Sequence, residues 1–309
     1  SLSLSLSLSL PLSEFFGEVS SWALVDLRTE RALPTRSNGY ASVDVFQAAL
    51  YVQQLVGKRD AVTVTARRSY ADAVLNPILN KGDLTVQAPR YYDAQLRWSR
   101  KLDAGWSDVL FLLSDDRFRF LGQGEDEVVL AGFATQFQKV RWLTSHGFGD
   151  GLSLDTSVVL GPEKKFFESD GSSEAYEKEM RVATRVELKQ EATPDRSLGW
   201  TIGTDPNFNR SSFLYDIARP PERTVSNNRT SPRESGANNI WQPSAYGELS
   251  VRAGRFNFLP GLRTDAQVTD AATVFSIDPR FRVLWEVGER TTIKGGAGRH
   301  SQAHIHTHT

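Results

Sequence analysis

The chain has 309 residues, 36 of them basic and 37 acidic, with a net charge of −1 and no cysteine. That balance gives no strong field to attract nucleic acid or an anionic membrane surface, and the missing thiols remove disulfides, thiolate metal sites and cysteine nucleophiles. No run of about 18 apolar residues exists, which excludes a transmembrane helix, and the N-terminus lacks the basic and continuously apolar regions of a signal peptide.

Residues 1–12 begin with "SLSLSLSLSL", a dipeptide repeat that alternates as a strand would. Ten residues match a tilted membrane-spanning strand, yet no other segment repeats a dipeptide. We read it as non-native: a strand added to close a barrel against the alternating "AHIHTHT" at the other end, or filler. Ser1 in place of an initiator methionine predicts a mature, trimmed or partial product.

From residue 39 to 303 the segments are strand-like. "MRVATRVELKQE" sets Val182, Thr184, Val186 and Leu188 against Arg181, Arg185, Glu187 and Lys189. "PRFRVLWEVGE" and "YGELSVRAG" repeat the pattern, Phe281, Val283, Trp285 and Val287 opposing Arg280, Arg282 and Glu286 in the first. Period-two alternation marks strands with one apolar and one polar face. About twelve are predicted, at 40–56, 61–74, 89–102, 108–120, 130–144, 152–162, 180–192, 198–215, 241–253, 256–268, 274–287 and 291–303.

The connections alternate in length. "GKRD", "DAGWS", "SHGFGDG", "TPDRS", "GR" and "GER" are short; "LNPILNKGDLTVQA", "LGQGEDEVV", "EKKFFESDGSSEAYEKE" and "DIARPPERTVSNNRTSPRESGANNI" are long, with the short "TDAAT" on their side. Such a meander has tight turns at one rim and loops at the other, the layout of an outer-membrane barrel. No blade-length repeat supports a propeller, and Greek-key crossings give no reason for the alternation. The predicted fold class is therefore all-β, an antiparallel up-and-down transmembrane β-barrel. The competing reading is a soluble β-rich binding protein whose charged face meets bulk water. Tyr91, Tyr92, Trp98, Trp106, Trp142, Trp241, Tyr246 and Trp285 fall near predicted strand ends, where interfacial girdles sit.

Several stretches resemble TonB-dependent outer-membrane receptors. "SSWALVDLRTE" is similar to the last plug segment of that family, which makes residues 13–38 the end of a plug-like segment and its linker. "GYASVDVFQAALYVQQLVG" with "AVTVTARRSYADAVL" resembles the first barrel hairpin, and "APRYYDAQLRWSRKL" with "FLLSDDRF" the next. "SAYGELSVRAGRFNFLPGLRTDAQ" and "IDPRFRVLWEVGERTTIKGGAGRHSQ" are similar to mid-barrel hairpins. The resemblance implies the bacterial outer membrane, a lipid bilayer around the barrel, a small-molecule ligand or chelate in the outer loops, and energy from the TonB system. It also implies a longer plug, a TonB-box and further strands. The chain thus reads as the first half of a receptor barrel with the end of its plug. The alternative is a passive pore or engineered barrel of about 12–14 strands.

No catalytic constellation stands out: there is no G-x-S-x-G, no H-E-x-x-H and no phosphate-binding glycine loop. We predict no enzyme, no cofactor, no catalytic residue and no nucleic-acid partner. "GGAGRH" lies in a predicted strand, thinned where another backbone packs close. "SDD" (Ser114–Asp116) and "GEDE" (Gly124–Glu127) read as solvated loop charge rather than a Ca²⁺ site. His304, His306 and His308 share one face of the 304–309 tail, and we assign them no metal; His146 is placed in a turn. Segments 163–179 and 216–240 are the best ligand-reading loops. The second holds Arg219, Arg223, Arg229 and Arg233, suited to an anionic chelate, but no individual ligand-binding residue is assigned.

Overall fold

A computed structural model describes residues 2–9, 22–29, 33–70, 84–122, 128–169, 173–193, 195–216, 233–288, 291–299 and 301. It divides into two units, Ser1–Thr35 and Arg36–Thr309.

In the first unit, β1 (Leu2–Ser9) pairs antiparallel with β2 (Trp22–Thr29), in register from Leu2↔Thr29 to Ser9↔Trp22. The Ser-Leu repeat therefore pairs with the segment that resembles the end of a plug. The tail expected to close against it, 302–309, lies outside the described residues.

The second unit holds β3 (Asn38–Val43), β4 (Gln47–Val56), β5 (Asp60–Ser69), β6 (Leu84–Leu102), β7 (Gly105–Gly122), β8 (Val128–Gly149), β9 (Leu152–Ser169) and β10 (Ser173–Gln190). It continues with β11 (Leu198–Thr204), β12 (Asn207–Asp216), β13 (Arg233–Gln242), β14 (Ser244–Ala253), β15 (Phe256–Val268), β16 (Thr273–Gly288) and β17 (Thr291–Gly298). All pairings are antiparallel between neighbours in the chain, with two strands each split in two. β11 and β12 run one after the other along β10, and β14 and β13 run along them in turn. The flanking registers Thr204↔Ala245 and Asn207↔Gln242 set Pro206 opposite Pro243. Neither has an N–H to give a ladder, yet their carbonyls still accept from Thr184 and Ala266, each at 3.0 Å. The meander thus has thirteen positions.

The extra position comes from the first predicted strand, 40–56, which is a hairpin. Its turn is made by Asp44, whose carboxylate accepts from the Phe46 and Gln47 N–H groups at 2.8 and 2.9 Å. Side-chain capping of this kind competes with the ladder, and the apolar Val45 and Phe46 hide it from a hydropathy reading. Several strands also run past their expected ends. Segment 163–179 is not a loop: all but 170–172 belongs to β9 and β10. There both faces are polar, so the apolar alternation that betrays a strand is lost while the ladder continues. For the same reason Ser114–Asp116 lie within β7, and His146 lies in β8, edge-on to Phe148 at 4.9 Å, rather than in a turn.

Alternation and register divide the sheet into two faces. One lateral row runs Val52–Val64–Leu96–Phe111–Val140 across five strands. It continues through Leu160–Val182–Phe208–Trp241–Val268. From the short turns upward for about ten residues, the charged described strand residues on this face are Asp60 and Arg100, which approach each other to 3.9 Å at the turn end, with Arg68 and Asp115 flanking Tyr92 at the upper edge. The apolar side chains are not covered: Leu96, Trp142, Leu249 and Phe275 are 49, 44, 47 and 62 % exposed. Among the described residues only Ala61, Leu110 and Ile240 are buried hydrophobics. At about 4.8 Å per strand and a belt about 25 Å tall, ten strands present on the order of 1,000 Å² of apolar surface, against several hundred on soluble monomers.

Candidate functional site: the polar face

The opposite face collects the charges, and cross-strand register decides which of them meet. In its first half, Arg67 on β5 donates from Nε and Nη2 to Asp93 Oδ2 on β6 at 3.0 and 2.6 Å, and its guanidinium lies over the Tyr91 ring. Ser114 on β7 donates to Asp93 Oδ1 at 2.8 Å and to Asp116 at 3.3 Å. Six residues nearer the short turn on β7, Asp108 is only 2 % exposed. It accepts from Arg97 Nε at 2.5 Å and Ser99 Oγ at 2.8 Å, with Arg141 at 3.9 Å.

The second half centres on the paired proline breaks. Asp205, just before Pro206, accepts from Arg263 Nη1 and Nη2 at 3.0 and 2.8 Å, from Arg185 at 3.0 Å and from the Ser244 hydroxyl. Arg263 also donates to Asp265 at 2.7 Å. Tyr246 donates to Glu187 Oε2 at 2.6 Å. Further along, Arg282 pairs with Glu248 at 2.5 Å and Arg252 with Glu286 at 2.9 Å.

This face can line a wet passage or seat a polar body: most charges are neutralised across neighbouring strands, and the rest are open to water. No group of three His, Cys, Asp or Glu that could hold a metal ion occurs among the described residues. In β17 the expected close approach of another backbone is found at Gly296 and Gly298, where a Cβ would meet the Phe281 carbonyl oxygen at 2.9 Å and the Pro279 carbonyl oxygen at 3.2 Å, beside Arg282 Cγ and Arg280 Cγ, each at 3.1 Å.

Of the loop arginines, only Arg233 lies in the described residues, as the first residue of β13. Arg219, Arg223 and Arg229, the Gly124–Glu127 cluster and the tail histidines lie outside them. The girdle aromatics divide between faces. Tyr92, Trp98, Trp142, Trp241 and Trp285 share the apolar face, while Tyr91, Trp106 and Tyr246 share the polar one. The lattice around Asp205 was not foreseen. Its members stand 58 residues apart in sequence, and only the doubled Pro break beside Asp205 hints at it.

The sequence matches no protein-family model and no curated protein. Solved structures do resemble it. The open form of the ferric-catecholate import receptor Fiu from E. coli K12 superposes with a TM-score of 0.64 at 10 % identity, over 92 % of this chain and 57 % of that one. The FrpB iron transporter from Neisseria meningitidis gives 0.64 at 12 %, over 95 % of this chain and 52 % of that one. The copper transporter OprC gives 0.61 at 14 %, over 95 % and 50 %. The chain therefore spans about half the length of the solved structures it matches. Its fold is that of an antiparallel up-and-down β-barrel, similar to about half of these receptor and transporter structures.

Proposed function

We propose that this chain is part of a TonB-dependent receptor of the bacterial outer membrane, which takes up a scarce nutrient such as a metal chelate. The observation that carries the reading is the division of the sheet: one face with an apolar, uncovered belt, the other with ion pairs linking β5 through to β10, and β14 to β16. A belt of that size suits hydrocarbon, whereas a soluble protein exposing it would aggregate. The ion-paired face suits a water-filled lumen and the plug it holds. The outer loops read the chelate, TonB supplies energy, and the chain performs transport rather than catalysis. The solved structures it resembles, described as import receptors and iron and copper transporters, support this nutrient class.

The test is uptake of a labelled ferric or cupric chelate by cells expressing the intact gene product, with and without a functional TonB system. Uptake that disappears without TonB is expected. Uptake indifferent to TonB, with steady open conductance in a planar bilayer, identifies a passive pore instead. Recovery as a monodisperse species without detergent rules out both.

A further inference from the structure

Above the apolar belt the same outward face changes character. Arg90, Arg117, Lys164, Lys178 and Arg210 each stand twelve residues along their strands from the short-turn ends at Leu102, Gly105, Leu152, Gln190 and Leu198. Spanning the hydrocarbon takes about 9–11 residues, so this level lies just past the belt, on the loop side. Two pairs of like charge sit directly opposite one another in register, Arg90↔Arg117 and Lys164↔Lys178. Directly opposed like charges destabilise a sheet, and register could have avoided both. Arg117 is partly relieved by Asp115 at 2.9 Å. Lys164 and Lys178 instead lie over the rings of Phe166 and Tyr176, and Arg68 and Arg90 flank Tyr92. Beside Arg117 and Lys164 a recess of about 170 Å³ opens, also lined by Arg119, Gln136, Phe166 and Glu168. Among the described strand residues the opposite end of the same face carries only the Asp60–Arg100 pair among Trp98, Trp142, Leu198, Val251, Phe256 and Trp285.

We propose that this ring of cations and aromatics binds the phosphorylated headgroup of an outer-leaflet lipid, whose acyl chains lie on the belt below. The ligand must be anionic, because it relieves two opposed cation pairs. It must be amphiphilic, because the ring is continuous with an apolar surface that faces away from the lumen. Phosphate suits Arg and Lys donors, and basic pockets at membrane level bind lipid headgroups. Rings at this height match interfacial girdles. The site is separate from nutrient uptake, but it rests on the reading of the sheet as a membrane wall.

The intact protein is reconstituted in phosphatidylcholine nanodiscs doped with a lipid bearing a phosphomonoester disaccharide headgroup, or with its dephosphorylated form. Bound lipid is counted by native mass spectrometry. Selective retention of the phosphorylated lipid is expected, weakening as salt rises. The Arg90→Gln, Lys164→Gln, Lys178→Gln, Arg210→Gln variant should bind it at least about tenfold more weakly. Arg100→Gln at the other end should bind it as the parent does. Equal retention of both lipids, no salt dependence in the parent protein, or undiminished binding by the fourfold variant overturns the proposal. Displacement of the lipid by inorganic phosphate alone also overturns it, assigning the ring to free anions. Failure of the parent protein to enter undoped discs overturns the membrane reading together with the site; insertion without lipid selectivity overturns the site alone.

Discussion

Arg263 shows how a single residue holds this sheet together. Its guanidinium bridges Asp205 and Asp265, and it is 24 % exposed while Asp205 is 15 %. Removing it leaves a largely desolvated carboxylate that keeps Arg185 and Ser244 but loses two charge-assisted bonds. Arg263→Met should lower unfolding stability by about 2–4 kcal/mol, measured by urea unfolding in detergent. Adding Asp205→Asn should cost less than the sum of the two single changes, because the pair acts as a unit. At the loop rim, Asp44 makes a pH prediction. The Phe46 and Gln47 N–H groups hold its carboxyl below the ordinary value of 3.8. A lowered folded-state pKa means the turn is supported above about pH 4 and loses that support as pH falls through the still lower folded value. The amide resonances of Phe46 and Gln47 should therefore titrate with a midpoint below 3.8; a midpoint at or above it refutes the cap.

Among the elements, β9 interrupts its ladder to β8, and the reason is local. Pro162 has no N–H to give, and Gly161 adopts φ +151°. The ladder to β8 pairs Leu160 with Val140, then resumes at Glu163 with Phe137. Lys139 fills part of the gap by donating from Nζ to the Gly161 carbonyl at 3.3 Å. A Cβ at Gly161 would strike the Gln138 carbonyl, so Gly161→Val should cost about 2–3 kcal/mol, read as a lowered melting temperature in detergent. Pro243→Ala, which restores a donor without adding bulk, should cost far less. The sequence made β9 legible only as far as Pro162, because alternation is a hydropathy signal and hydropathy contrasts vanish once both faces are wet. The ladder itself is blind to that contrast, so the strand runs on to Ser169. The Asp44 turn failed in the opposite sense: apolar residues around it preserved an alternation that the backbone interrupts.

For the whole molecule, the alternation of short and long connections carried more information than any motif, because it depends on chain length between strands rather than on their exact ends. It pointed to the right meander although boundaries were wrong by five residues at Leu84 and Gly149 and by eight at Arg233, and although two of the long connections shrink to 123–127 and 170–172. What it could not give was the height of each residue along its strand, since that follows from register across thirteen positions. Height is what separates the belt from the cation ring, and the ring was therefore invisible in the sequence. It also fixes an orientation: the ring and the long connections share one rim, and Gly57–Arg59, Asp103–Ala104 and Gly254–Arg255 share the other. In an outer membrane the long connections face outward. Trypsin added to intact cells should then cleave at the arginines of 217–232, while Lys58 and Arg59 stay uncut until the outer membrane is permeabilised. Cleavage at Lys58 in intact cells would reverse the orientation, and with it the leaflet in which the cation ring lies.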